Sequence, residues 1–248
     1  MTDKTGGVVV VVCSLPRSGT HFLIDLLRLN FREFSWRPNI WESAETLYYN
    51  LDRIQPDQGD WSPASIMRHN FIVKTHELPF EGSLQDHLQE IAGDRRIEVV
   101  TPVRPLADQM ASYRRYSAPD VAADAVADST DRYYDDGRTV AEVIRQFYES
   151  AIGQYTIVDV VRGAKDPEPM LGALAKALGL TRNPGSARLP PRRTSSDWRG
   201  ELKSRLTGRP SSELIVTHGG VTTTKEPVVV SDPALQEIDR KLAAACIV

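Results

Sequence analysis

An α/β unit whose central parallel sheet is flanked by helices is the fold class this sequence predicts, and three observations lead there. The chain opens on an unbroken β-branched run, Val8–Cys13; a Gly-containing turn and a helically spaced apolar stripe follow it; short apolar runs then alternate with longer amphipathic ones. A strand buried on both faces reads as continuous Val rather than as an alternation. Strands alternating with helices build a parallel sheet covered on both faces. The 248 residues suit one unit of this kind, so a single domain over 1–248 is expected.

Taken in order, Phe22, Leu23, Leu26, Leu27 and Leu29 recur at helical spacing from Thr20 onward, making half of a βαβ unit with the opening strand. Residues 31–65 carry Trp36, Trp41, Tyr48, Tyr49 and Trp61 among Pro, Asn and Asp, so an irregular, substrate-facing segment is expected, with a short helix at 42–51. Strands follow at 71–74 and 97–103, with a helix at 84–91 between them. A helix over 105–116 begins at Pro105, where a missing N–H is tolerated. The Ala-, Asp- and Tyr-rich stretch 117–138 reads as a mobile loop or lid. Val140, Val143, Ile144, Phe147, Tyr148 and Ile152 share one face of a helix over 140–155. A strand at 156–161, a helix at 169–180 ending at Gly179, a Pro/Arg-rich loop at 183–193 and an amphipathic helix at 233–246 complete the chain.

Composition narrows the function. A formal charge of -3 and a pI near 6.0 argue against nucleic-acid and membrane-surface partners, which select for a basic surface. Phosphate recognition must then be local. Cys13 and Cys246 lie near opposite ends with no metal-ligand spacing, which fits a reducing cytoplasm and gives no disulfide framework or zinc site. The run at 8–12 is too short for a signal-peptide core, and no stretch approaches the roughly 20 apolar residues of a membrane span.

The chemistry begins at Ser14-Leu15-Pro16-Arg17-Ser18-Gly19-Thr20-His21-Phe22, where the first strand hands over to its helix. Such a turn presents unpaired backbone N–H groups and the positive end of a helix dipole to an anion. Arg17 adds a full charge, Gly19 allows close approach of the backbone, and Ser18 and Thr20 are candidate hydroxyl donors. A helix N-cap with a surface arginine is the plainer alternative. A Walker A loop is excluded, because the first glycine and the Lys after Gly19 are both missing. A cysteine-phosphatase loop is disfavoured too, since only three residues separate Cys13 from Arg17; Cys13 reads as the small apolar end of a buried strand.

Pro16-Arg17-Ser18-Gly19-Thr20 resembles the 5′-phosphosulfate loop of sulfotransferases that use 3′-phosphoadenosine 5′-phosphosulfate (PAPS), commonly P-[KR]-S-G-T. Three further segments follow in that family's order. Val73-Lys74-Thr75-His76-Glu77-Leu78-Pro79 resembles its V-K-T-H-x-P segment with one extra residue before Pro, Arg104 and Ser112 match its 3′-phosphate pair, and Arg192-Arg193-Thr194-Ser195-Ser196-Asp197-Trp198 is similar to its late R-K-G…G-D-W stretch. The last match is looser, with Pro191 standing where Arg is expected. The family's Y-E-D after the fourth strand is replaced near Val160-Val161-Arg162.

The resemblance implies a P-loop-related sulfotransferase fold and transfer of a sulfuryl group from PAPS to a hydroxyl of a small alcohol or phenol, secondary metabolites and glycans included. It implies His76 as general base, with Lys74 and Arg17 on the sulfuryl and leaving-phosphate oxygens. Arg17, Ser18, Gly19, Thr20, His21 and Phe22 would hold the 5′-phosphosulfate end, Phe22 by stacking on adenine. Arg104, Ser112, Arg192 and Arg193 would hold the 3′-phosphate. No metal is expected, and a homodimer is left open. From the residues alone, a His at a strand's carboxyl end lies where open α/β sheets bind ligands, and Lys74 two residues earlier shares its side of the strand. Core packing of the first helix is the rival role for Phe22, a salt bridge for Arg104 and helix packing for Ser112. His21 is open between nucleotide contact, acceptor contact and helix cap. His69, His87 and His218 read as surface residues. Two other functions stay in view: a PAPS-binding protein without transfer activity, and an atypical phosphotransferase using the same loop with Mg²⁺ and ATP.

Overall fold

The structure, a computed structural model, describes residues 7–34, 48–51, 70–78, 83–117, 120–130, 136–190 and 228–247. Five parallel strands, β1 (Val8–Cys13), β2 (Tyr49–Asn50), β3 (Phe71–Thr75), β4 (Arg96–Val103) and β5 (Thr156–Asp159), form one sheet in the order β2-β3-β1-β4-β5. The helices are α1 (Thr20–Asn30), α2 (Ser83–Ala92), α3 (Leu106–Ser117), α4 (Val140–Ala151), α5 (Val160–Lys165), α6 (Pro167–Leu178) and α7 (Pro233–Ala245).

Strand β1 lies at the centre, with Val9 opposite Phe71 on β3 and Ile97 on β4. Its six residues are all buried, and they divide between two cores by the two-residue alternation of a strand. Val9, Val11 and Cys13 join residues of α2, α3, α4 and α7; Val8, Val10 and Val12 join residues of α1, α5 and α6. The predicted α/β class with helices on both faces is therefore present. Pro102 lies in β4 beyond Val100, the last residue paired to β1, and opposite Val158 of β5.

The chain leaves β1 toward one face and β3 and β4 toward the other. In a parallel sheet that divergence opens a crevice beyond the carboxyl ends of the strands. The β1–α1 turn, His76 and Arg104 all stand at this edge.

Several boundaries differ from expectation for identifiable reasons. Tyr49–Asn50, expected within a short helix, is an edge strand paired to Val73 and Lys74; residues 35–47 and 52–65 of the irregular segment, with Trp36, Trp41 and Trp61, lie outside the described residues. Strand β5 stops at Asp159 instead of 161, because the Asp159 carboxylate accepts from Val161 N and Arg162 N and starts α5. Helix α4 ends at Ala151 and α6 begins at Pro167. Gly179 closes α6 in the left-handed conformation, as its position suggested.

The lid expected over 117–138 is a knitted connection where it is described. Val126 is fully buried, Arg114 Nε donates to Val121 O at 2.7 Å, and Val140 N donates to Ser129 O at 2.9 Å. Among the described residues no helix is long and apolar enough to cross a membrane.

Candidate functional site

The β1–α1 turn is closed by its own polar groups. Ser14 N donates to Thr75 O at 3.0 Å, extending the ladder one step past β1. The Ser14 and Thr20 hydroxyls share a buried hydrogen bond of 2.6 Å, and Ser18 Oγ donates to Leu15 O at 2.7 Å. Ser18 and Thr20, predicted as donors to a ligand, are both buried and spend these bonds on shaping the turn.

Gly19 has φ 105° and begins α1, and a Cβ there would come within 2.7 Å of Val160 Cγ2. The glycine is required by its backbone conformation and by the approach of α5. Arg17 has φ 69°, which costs a non-glycine residue about 1–2 kcal/mol. Such strain persists only where surrounding contacts over-determine it.

Those contacts come from β4 and α3. Arg104, at the end of β4, donates from Nη1 to the Arg17 carbonyl at 3.4 Å. Arg17 Nε donates to Ser112 Oγ at 3.2 Å, so the strand-end arginine, the helix serine and the turn arginine meet in one place. Arg104 is 7% exposed and Ser112 is 4% exposed. Burial draws the Arg104 guanidinium below the ordinary arginine value; Asp108 opposes this, and the neighbouring Arg17 and Arg115 charges add to it. Arginine still stays protonated at any physiological pH, so poorly hydrated positive charge is concentrated here. An anion would relieve it. Since Ser112 accepts from Arg17, its own hydroxyl hydrogen can donate to a ligand oxygen.

His76 follows β3 at the same edge. Its Nδ1 meets the Ser14 carbonyl oxygen in a short contact. A carbonyl only accepts, so Nδ1 carries the hydrogen and the neutral ring keeps its lone pair on Nε2. That tautomer is the one a proton acceptor needs. Lys74 is buried on β3 opposite Val12, on the α1 side of the sheet that also takes Ile72.

His21 is tied sideways, its Nε2 3.2 Å from the Tyr48 hydroxyl with the two rings edge to face. Phe22 is 5% exposed and packs with Val10 and Val12, so core packing is the role the structure gives it, rather than the predicted adenine stack. Cys13 is fully buried, its Sγ against the Glu77 carbonyl at 3.2 Å. His87, expected at the surface, accepts or donates with Tyr49 Oη at 2.9 Å and lies 3.8 Å from Glu90. Arg192, Arg193, His69 and His218 lie outside the described residues. Among the described residues no cluster of His, Cys, Asp and Glu could hold a metal ion.

The sequence reading missed Gln109 and Tyr148. Both are buried, Gln109 against the turn and Tyr148 against Gln109; helical spacing marks Tyr148 only as part of an apolar face, and Pro105 alone signals the helix over 105–116. Their polarity inside a core face was the available signal. No protein-family model matches this chain, and no curated protein does.

Proposed function

We propose that this chain is a PAPS-dependent sulfotransferase of the P-loop-related α/β type, a single domain that sulfates a hydroxyl on a small alcohol or phenol. One observation carries the reading: Arg17, Arg104 and Ser112 meet beside a strand-to-helix turn, with a histidine of the base-competent tautomer at the same sheet edge.

In this reading Arg104 and Ser112 grip the 3′-phosphate, joined by Arg192 and Arg193, while the turn from Arg17 to His21 faces the 5′-phosphosulfate. His76 Nε2 takes the proton of the acceptor hydroxyl as that oxygen bonds to sulfur. The bond between sulfur and the bridging phosphate oxygen breaks, and 3′-phosphoadenosine 5′-phosphate leaves with the electron pair. Arg17 and Lys74 balance the negative charge on the sulfuryl oxygens and the departing phosphate. The Ser14 carbonyl stabilises the protonated imidazole by holding Nδ1–H in place.

Transfer of labelled sulfate from PAPS to a panel of phenols and alcohols tests this directly. His76→Ala is expected to lower turnover by about 10²- to 10⁴-fold while the affinity for 3′-phosphoadenosine 5′-phosphate stays near that of the wild type. Labelled phosphate transfer from Mg²⁺-ATP, with none from PAPS, would replace this reading by a phosphotransferase.

A further inference from the structure

Two side chains outside every motif reach the β1–α1 turn from the core. Tyr148 on α4 is fully buried and Gln109 on α3 is 3% exposed. The Tyr148 hydroxyl donates to Gln109 Oε1 at 2.9 Å, and Gln109 Nε2 donates to the Pro16 carbonyl at 3.2 Å. Chemistry fixes this direction. The Pro16 carbonyl can only accept, so the amide nitrogen faces it, the amide oxygen faces Tyr148, and the phenol must donate. Burial pushes the phenol pKa well up, so the hydroxyl keeps the proton it donates.

The position of that carbonyl gives the chain its meaning. Pro16 C=O belongs to the peptide plane before Arg17 Cα, and Arg17 C=O belongs to the plane after it; rotation between the two planes is φ and ψ of Arg17. Gln109 holds the first plane and Arg104 holds the second, at 3.2 and 3.4 Å. Arg17 is the one non-glycine residue with positive φ among those described. A strained backbone therefore has a side-chain anchor on each flank, and its own Nε reaches Ser112 from there.

We infer that Gln109 and Tyr148 are positioning residues that hold Arg17 in its left-handed conformation, ready for the anion; this rests on the turn being the phosphosulfate site. Neither residue touches the reacting atoms. Their effect should fall on the affinity for the nucleotide and on turnover together, because Arg17 both binds the anion and balances charge on the reacting oxygens, whereas the His76 contact to Ser14 lies outside this chain.

The test is calorimetric titration of 3′-phosphoadenosine 5′-phosphate into the wild type, Tyr148→Phe, Gln109→Met and the double variant, with donor KM and kcat alongside. Tyr148→Phe keeps the ring packed edge to face on Phe147 and removes only the hydroxyl, so it carries the test even where Gln109→Met lowers the melting temperature. Each single variant is expected to raise Kd and donor KM by about 3- to 10-fold and to lower kcat by a similar factor, since Arg17 also acts on the reacting oxygens. The double variant should be within about twofold of Gln109→Met, since both act through the Pro16 carbonyl. Wild-type affinity in both single variants, with only their melting temperatures lowered, would overturn this inference alone. A wild type that binds no nucleotide would overturn the sulfotransferase reading and the inference together.

Discussion

Two residues of the β1–α1 turn have left-handed backbone for different reasons. Gly19 has no alternative, because φ 105° and the nearness of Val160 both exclude a side chain. Arg17 carries its strain so that a guanidinium can stand beside Ser112. Gly19→Ala is thus expected to cost about 1–3 kcal/mol in urea unfolding and to weaken anion binding more than stability. An alanine variant with wild-type stability would mean that the turn relaxes freely and is no preset cradle. At this scale the sequence was partly legible. The residue types marked the turn that is proposed to take the anion, but the pairing of Ser14 with Thr20 and of Ser18 with Leu15 was not readable, because a hydroxyl that shapes a turn and one that awaits a ligand look alike in one dimension.

Among the elements, helix α3 couples the site to the far end of the chain. Its first described N–H, on Leu106, donates to Asp239 Oδ1 of α7 at 3.1 Å. Burial raises the Asp239 carboxyl above the usual range; the Leu106 hydrogen bond opposes this, and Asp159 and Asp108 add to it. The native state therefore binds this proton more readily than the unfolded chain does. As pH rises through the folded pKa, the favourable contribution of protonation is lost, and as pH falls to the unfolded value near about 4 it is fully present. Asp239→Asn retains an acceptor for Leu106 and removes the charge, so its melting temperature should equal or exceed that of the wild type near neutral pH, with the gain shrinking toward the acid range. Asp239→Ala should instead lose about 1 kcal/mol. An asparagine variant that melts lower at neutral pH would mean that the carboxylate is held by an attractive charge. Long periodic elements such as α1 and α4 were legible because burial imposes their spacing. The two-residue strand β2 and the six-residue helix α5 were not, since so few residues carry no period and Asp159 decides its boundary through one capping contact.

Over the whole molecule, a net charge of -3 has to coexist with the proposed anion site, and the arrangement around Arg104 explains how. The positive charge is buried at one sheet edge, where it is screened less than charge spread over the surface. The parallel sheet, its central first strand and the helices on both faces were legible from the β-branched run and the alternation that follows it. The spacing of Arg104 and Ser112 was legible, but the meeting of Arg17 with Ser112 was not, because β1 and β4 must first pair before the two side chains lie 3.2 Å apart. The most direct measurement is the shift in melting temperature produced by 3′-phosphoadenosine 5′-phosphate, beside ATP with Mg²⁺, AMP and adenosine 5′-phosphosulfate, on the wild type and on Arg104→Ala. A ligand at 100 times its Kd stabilises the native state by about 2.7 kcal/mol, which a melting curve detects readily. A shift confined to the 3′-phosphorylated nucleotide and lost in Arg104→Ala is the expected result, and no shift, or a larger one with Mg²⁺-ATP, would contradict it.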